Sequence, residues 1–299
     1  MAMKAGTNEA VVEGVLSEKA VRTFDDGAIA GELTIEVPVT MADGEEFVSL
    51  IPVSFYTKPK TNAGAPNVAY KGIKTIIDDA KSLAEVDGDY SKASRIRLRQ
   101  GTIAENMFFA QDDRFVSFAR IRGNFFDRVK ESDCQPKAQF KVKMIVASIA
   151  DEERKEGGET FETGRIVVTG HIVQYNGTID EVKFVVQNKK HIDVVQKGWS
   201  VGDTVNAQGV IKYVTREETT EEEEEDGFGE PMARTTTRRI REFIITGGSA
   251  GPVEGYEEDD ILEARKERKA RIAEVKEKQS KKEKEEEPAP KSKSKSRDW

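Results

Sequence analysis

Residues 29–40 read Ile-Ala-Gly-Glu-Leu-Thr-Ile-Glu-Val-Pro-Val-Thr. Leu33, Ile35, Val37 and Val39 alternate with Thr34, Glu36 and Pro38, the period of two that turns one face of a strand to a core and the other to water. The punctuation on either side decides what this strand pairs with. Upstream, Val11–Phe24 is rich in apolar and β-branched residues and ends at Asp25-Asp26-Gly27. Downstream, Asp43-Gly44 separates it from a third such run, Glu46–Thr57. Aspartate–glycine pairs supply the positive φ angles of tight hairpins, so the three runs predict an antiparallel meander.

A loop with Pro59, Gly64 and Pro66 follows, and then the period changes. Ile73, Ile76, Ile77, Ala80, Leu83 and Ala84 fall on one helical face, with Lys74, Asp78, Asp79 and Lys81 opposite. A helix over about 68–86 is expected, ended by Gly88. Two further strands, Ser94–Phe109 and Arg114–Phe126, turn at Asp112-Asp113. The order is β-β-β-α-β-β.

That order recurs. Phe140, Val142, Met144 and Val146 mark a strand, and Asn176-Gly177 joins Arg165–Tyr175 to Thr178–Gln187. A short helical stretch at His191–Lys197 stops at Gly198, before Asp203–Thr215 and Arg238–Thr246. Gln100-Gly101-Thr102-Ile103 and Gln208-Gly209-Val210-Ile211 hold the same slot after each helix. Boundaries at 8–134, 135–250 and 251–299 follow, with an acidic loop over 217–234 in the second unit. Glu257–Glu287 mixes both charges, with Glu263, Lys266, Glu267 and Arg271 at helix-pairing spacing. A marginal solvated helix giving way to disorder is expected there.

Three strands, one helix and a two-stranded hairpin is the element order of the OB-fold, a five-stranded Greek-key barrel. The expected class is all-β with minor α: two tandem OB-fold barrels and a charged, mostly disordered C-terminal tail. Gly198-Trp199-Ser200-Val201-Gly202-Asp203-Thr204-Val205, running into Ala207-Gln208-Gly209-Val210-Ile211, looks like the entry to an OB fourth strand with a glycine bulge. In this layout the chain resembles OB-fold single-stranded DNA-binding proteins, especially those of bacteriophages. The resemblance implies single-stranded DNA as partner, work in replication or recombination, and recruitment of replication or recombination proteins by the C-terminal tail. The polar N-terminus and single cysteine lead to the expectation of a cytoplasmic setting, the host's if the protein is viral. The chain ends Lys295-Ser296-Arg297-Asp298-Trp299, whereas its acidic block stands at Glu221–Asp226. That block could mimic a polyphosphate in a basic groove, dock a basic partner, or simply be a solvated loop.

Net charge is −8, which opposes a nucleic-acid partner only weakly, because screening confines fields to about 10 Å at ~0.1 M salt. Binding an unpaired strand requires cations along the phosphates and exposed rings for the bases. Arg95, Arg97 and Arg99 alternate with Ile96 and Leu98, so the three guanidiniums leave one face of a strand. Phe118, Arg120 and Arg122 repeat the spacing, and Tyr56, Lys58 and Lys60 end the third strand. In the second unit Lys141 and Lys143 share a face, as do Arg239 and Arg241. Tyr175, Lys189, Lys190, Trp199 and Tyr213 complete the candidate DNA-binding set. The alternative for each is a solvated face or a core ring, and for the protein a structural or adaptor role; RNA binding or annealing would use the same surface.

An enzyme is not expected, nor is a cofactor or metal. His171 and His191 stand apart from other ligand types, Cys134 is the only cysteine, and no Gly-x4-Gly-Lys-Ser/Thr loop or dinucleotide fingerprint occurs. Met1–Glu9 is polar and unlike a signal peptide.

Overall fold

The computed structural model describes residues 3–110, 112–156, 159–222 and 232–286. The first half contains β1 (Asn8–Thr23), β2 (Ile29–Thr40), β3 (Glu46–Thr57), α1 (Val68–Asp79), β4 (Arg95–Phe109), β5 (Phe115–Arg122) and a short β6 (Phe126–Val129). The second contains β7 (Lys137–Glu156), β8 (Glu159–Val173), β9 (Ile179–Val186), α2 (Lys189–Gly198), β10 (Thr204–Glu222) and β11 (Met232–Gly248), followed by α3 (Glu258–Glu286). The hairpin glycines read from sequence, Gly27, Gly44 and Gly177, all have positive φ (77°, 89° and 83°).

The pairings close on themselves twice. In the first half hydrogen bonding runs β1-β2-β3-β5-β4 and returns to β1; in the second it runs β7-β8-β9-β11-β10 and returns to β7. The expected pair of separate barrels is nevertheless one eleven-stranded sheet, because β1 also pairs with β7 over Asn8–Glu13 and Lys137–Val142. β6, unforeseen in sequence, adds to the far edge of β4. The repeated Gln-Gly string occupies equivalent places. Both glycines lie at ladder irregularities, and a Cβ would stand 2.4 Å from the Ala10 carbonyl oxygen at Gly101 and 1.8 Å from that of Ile244 at Gly209. Backbone passes too close there for any side chain.

One apolar core runs through both circuits, from Leu16, Leu33 and Ile35 to Phe140, Phe184 and Phe243. α1 contributes Ile73 and Ile76. Its start is set by Asn67, whose side chain accepts the Ala69 N–H at 3.0 Å. It ends earlier than expected, at Asp79, where the Lys19 ammonium takes the carbonyls of Ile77 (3.1 Å) and Ala80 (2.8 Å). The chain then runs extended before a single 3-10 turn at Ala84–Val86.

Besides the β1–β7 join, the two halves meet along two side-chain seams. At the first, the Tyr213 N–H of β10 donates to Ser49 Oγ of β3 (2.9 Å), and Ser49 Oγ donates to the Ile211 carbonyl (3.0 Å). At the second, the Glu105 N–H of β4 donates to Asp180 Oδ2 of β9 (3.0 Å). Glu105 and Tyr213 are separated by the same offset as Gly101 and Gly209, so the seams are equivalent by sequence repeat.

α3 covers the second seam, which corrects the expectation of a solvated helix. Ile261 and Ala264 are buried with Met3, Ile145, Val173 and Ile179. Arg268 grips both oxygens of buried Glu105 (2.5 and 3.0 Å) and reaches Glu181 (3.3 Å). Arg271 binds the Ile179 carbonyl and Asp180, and Gln279 exchanges hydrogen bonds with the Phe109 backbone. The remainder of the tail, 287–299, lies outside the described residues, as does 223–231 of the acidic segment. The segment expected to be a loop over 217–234 is paired as strand over Glu217–Glu222 and Met232–Arg234.

Candidate nucleic-acid interface

The arginines of β4 have the most regular spacing of the candidate cations. Each is already engaged. Arg95 donates to the carbonyls of Tyr90 and Ala93 (2.8 and 2.7 Å) and to Glu131 (2.7 Å). Arg97 makes a two-pronged pair with Glu13 (2.7 and 2.9 Å), and Arg99 clasps both oxygens of Asp127. Register is the cause. β1 and β6 flank β4 on its two edges, and both Glu13 and Asp127 lie opposite Arg97, the position at which cross-strand opposite charges pair. The Arg97 guanidinium outweighs burial and, with the Gln135 N–H, holds the Glu13 carboxyl below its ordinary value. The structure therefore does not present this triplet as a row of free cations.

The same spacing on β5 has a different outcome. Arg120 and Arg122 form no ion pair among the described residues. Burial, reinforced by the neighbouring charge of Arg122, holds the Arg120 guanidinium below its usual pKa, and its buried Nε has no hydrogen-bond partner. Glu32 and Asp180 attract this guanidinium without pairing with it, and a partly desolvated cation with no close counter-ion favours an arriving anion. Both arginines line a hollow of about 660 Å³ with Glu32, Ser54, Tyr56 and Phe125. Tyr56 is 52% exposed and Phe125 43%, so two rings are open to solvent beside two cations.

Glu32 also lines a second hollow of about 280 Å³, together with Leu50, Pro52, Ile240, Arg239 and Arg241. Those two arginines in turn line a third, of about 640 Å³, with Arg154, Arg165, Lys212 and Arg238. The shared residues make one track from the β2–β3 face, over the first seam, to the β10–β11 hairpin. Arg238, Arg239 and Arg241 form no ion pair among the described residues. By contrast, Arg165 is held by Glu152 and Glu242, and Lys212 by Glu45 at 2.6 Å. At the middle of the track the Arg241 guanidinium sits 5.6 Å from the Phe118 ring centre and 5.9 Å from that of Tyr213.

The structure thus gathers Tyr56, Arg120, Arg122, Arg239 and Arg241, with Phe118 half-buried beneath Arg241. Lys58 adjoins Tyr56 but is 3.5 Å from Asp26, and Lys60 lies in the following loop, bridged to Pro66. Two candidate rings are unavailable for stacking. Tyr213 is 4% exposed and donates its hydroxyl to the Ala119 carbonyl, and Trp199 is 5% exposed with Nε1 bound to the Ser249 carbonyl. Their hydroxyl and indole N–H are satisfied at the rim of the core, which is why sequence alone cannot separate them from surface rings. Lys141 lines a separate hollow, Lys143 lies over the Tyr256 ring at 5.1 Å, and Lys189, Lys190 and the fully exposed Tyr175 stand off the track. Phe125 and Glu32 are site residues that the sequence reading missed. The Gly123-Asn124 break before Phe125 is the available signal, because it ends β5 and frees the next ring from the sheet.

No helix among the described residues is long and apolar enough to cross a membrane, and no cluster of metal-ligating side chains occurs among them. No curated protein matches the chain. Two solved structures of the single-stranded DNA binding protein from Thermus aquaticus, a deletion mutant and the wild type, share its fold with TM-scores of 0.51 and 0.50. Both are 12% identical, cover 86% of this chain, and are themselves covered over 100% and 97% of their lengths. This likeness establishes a mostly β architecture of the OB type. A family model described as YorF matches residues 7–278, from the start of β1 into α3. The chain belongs to the YorF family.

Proposed function

We propose that this protein binds single-stranded DNA with little regard to sequence, as a non-enzymatic protein of replication or recombination, of the kind that phages encode. In this reading the two closed circuits are tandem OB barrels that work as one surface. Phosphates follow Arg120, Arg122, Arg239 and Arg241, while bases stack on Tyr56 and Phe125. The observation that carries the reading is the set of arginines without carboxylate partners, drawn from both halves into one ring-bearing track. The fold likeness to a protein titled as a single-stranded DNA binding protein supports it. The tail beyond α3 remains the candidate contact for partner proteins.

Anisotropy titration of a labelled oligo-dT at two salt concentrations tests the proposal. Affinity should fall with salt, the logarithmic slope growing by about 0.7 for each phosphate contacted. Absence of binding at low salt, or affinity independent of salt, would refute it.

A further inference from the structure

Glu32 is out of place in a track for phosphates. It is exposed, stands where the first two hollows meet, and has no ion-pair partner among the described residues. Its one hydrogen bond among the described residues is from Ser54 Oγ to Oε1 (2.9 Å), which leaves Oε2 without a donor among them. The sheet fixes its neighbours: Glu32 on β2 pairs with Ser54 on β3, and Ser54 pairs with Arg122 on β5. The three side chains leave the same face in one row. Two strand spacings put Glu32 about 10 Å from Arg122. In the next row, two residues further along β3, stands Tyr56.

The charges in this track favour one way for a strand to lie. Its phosphates are drawn to Arg120 and Arg122 and repelled by Glu32, so the backbone keeps to the β5 side and the base points across the row. Tyr56 offers the base a ring face, and its edge reaches the carboxylate. A carboxylate only accepts. Cytosine and adenine present an exocyclic amino group that can donate, whereas thymine presents a carbonyl oxygen at the corresponding place.

We infer that Glu32 reads the base held between Tyr56 and Arg122, accepting from an exocyclic amino group and so selecting against thymine at that position. This rests on the single-strand reading above. The general tolerance of the track is kept, with one position carrying a preference.

Competition titrations of oligo-dC against oligo-dT with the full chain and with Glu32→Gln test it. The wild type prefers oligo-dC. In the variant the amide can donate to thymine, and the dC:dT affinity ratio falls by about fivefold, the worth of one hydrogen bond. Glu18→Gln removes the same charge from the same track and should leave the ratio within about twofold, since screening by charge alone does not distinguish bases. A uniform gain for both oligonucleotides in Glu32→Gln, or an equal shift of the ratio in Glu18→Gln, overturns the inference while leaving DNA binding intact. Failure of every oligonucleotide to bind overturns the single-strand reading and this one with it.

Discussion

The two seams begin from equivalent backbone positions and end as opposites. Where β3 meets β10, the residue at the repeat position is Tyr213, neutral and buried, with Arg241 over its ring and an open track above. Where β4 meets β9 it is Glu105, a buried carboxylate beside Asp180 and Glu181 that is closed over by Arg268 and Arg271 of α3. An anionic strand could use the first surface and would be repelled by the second. The C-terminal helix supplies the acidic seam with cationic partners, Arg268 and Arg271. Under the proposed function, the repeated arrangement offers one groove for an anionic strand rather than two.

The largest test of this contrast removes the cover. Arg268→Ala would leave Glu105 buried without its counter-ion, and should cost about 3–5 kcal/mol in urea unfolding; a loss below ~1 kcal/mol would mean that α3 is not holding the seam. Next comes the open side. Replacing Arg120 and Arg241 together by alanine should weaken oligo-dT binding by about tenfold or more and reduce the salt slope by about 1.4. Arg99→Ala, where the guanidinium is already bound to Asp127, should change affinity by less than about twofold. Equal effects in the two proteins would erase the distinction between free and engaged arginines. At the neutral seam, Tyr213→Phe loses only the bond to Ala119 and should cost about 1 kcal/mol, read from the same unfolding curves.

The finest test is one of sign. Burial lifts the Asp180 carboxyl above its ordinary 3.8, against the pull of the Glu105 N–H and Arg271. A raised folded value means that its contribution is fully present below 3.8 and is lost as pH climbs through the folded value. Asp180→Asn should therefore gain stability relative to wild type as pH rises above the ordinary 3.8. A relative loss over that range would show that Arg271 outweighs burial.

Much of the frame was legible in the sequence because it is local. Aspartate–glycine and asparagine–glycine turns, period-two strands and the Ile73–Ile76 stripe each report on neighbours a few residues away. The site was only partly legible because its deciding contacts are distant. Arg95-Ile96-Arg97 and Arg120-Ile121-Arg122 look alike in sequence, yet only the first has acids opposite it, Glu13 from far upstream and Asp127 from a strand of four residues. The docking of α3 left a fainter mark. Ile261, Ala264, Arg268, Arg271 and Val275 follow spacings of three and four, but two members of that stripe are arginines, so the face reads as solvated until the carboxylates beneath it are known.

The antiparallel join of β1 to β7 bears on how the chain is made. Asn8–Glu13 leaves the ribosome long before Lys137–Val142 is synthesised, so the nascent first half carries a bare row of amide and carbonyl groups along one edge. Separate fragments divided between Cys134 and Gln135 would each keep that adhesive edge, and would reassociate with one another, or with their own copies, instead of behaving as independent modules.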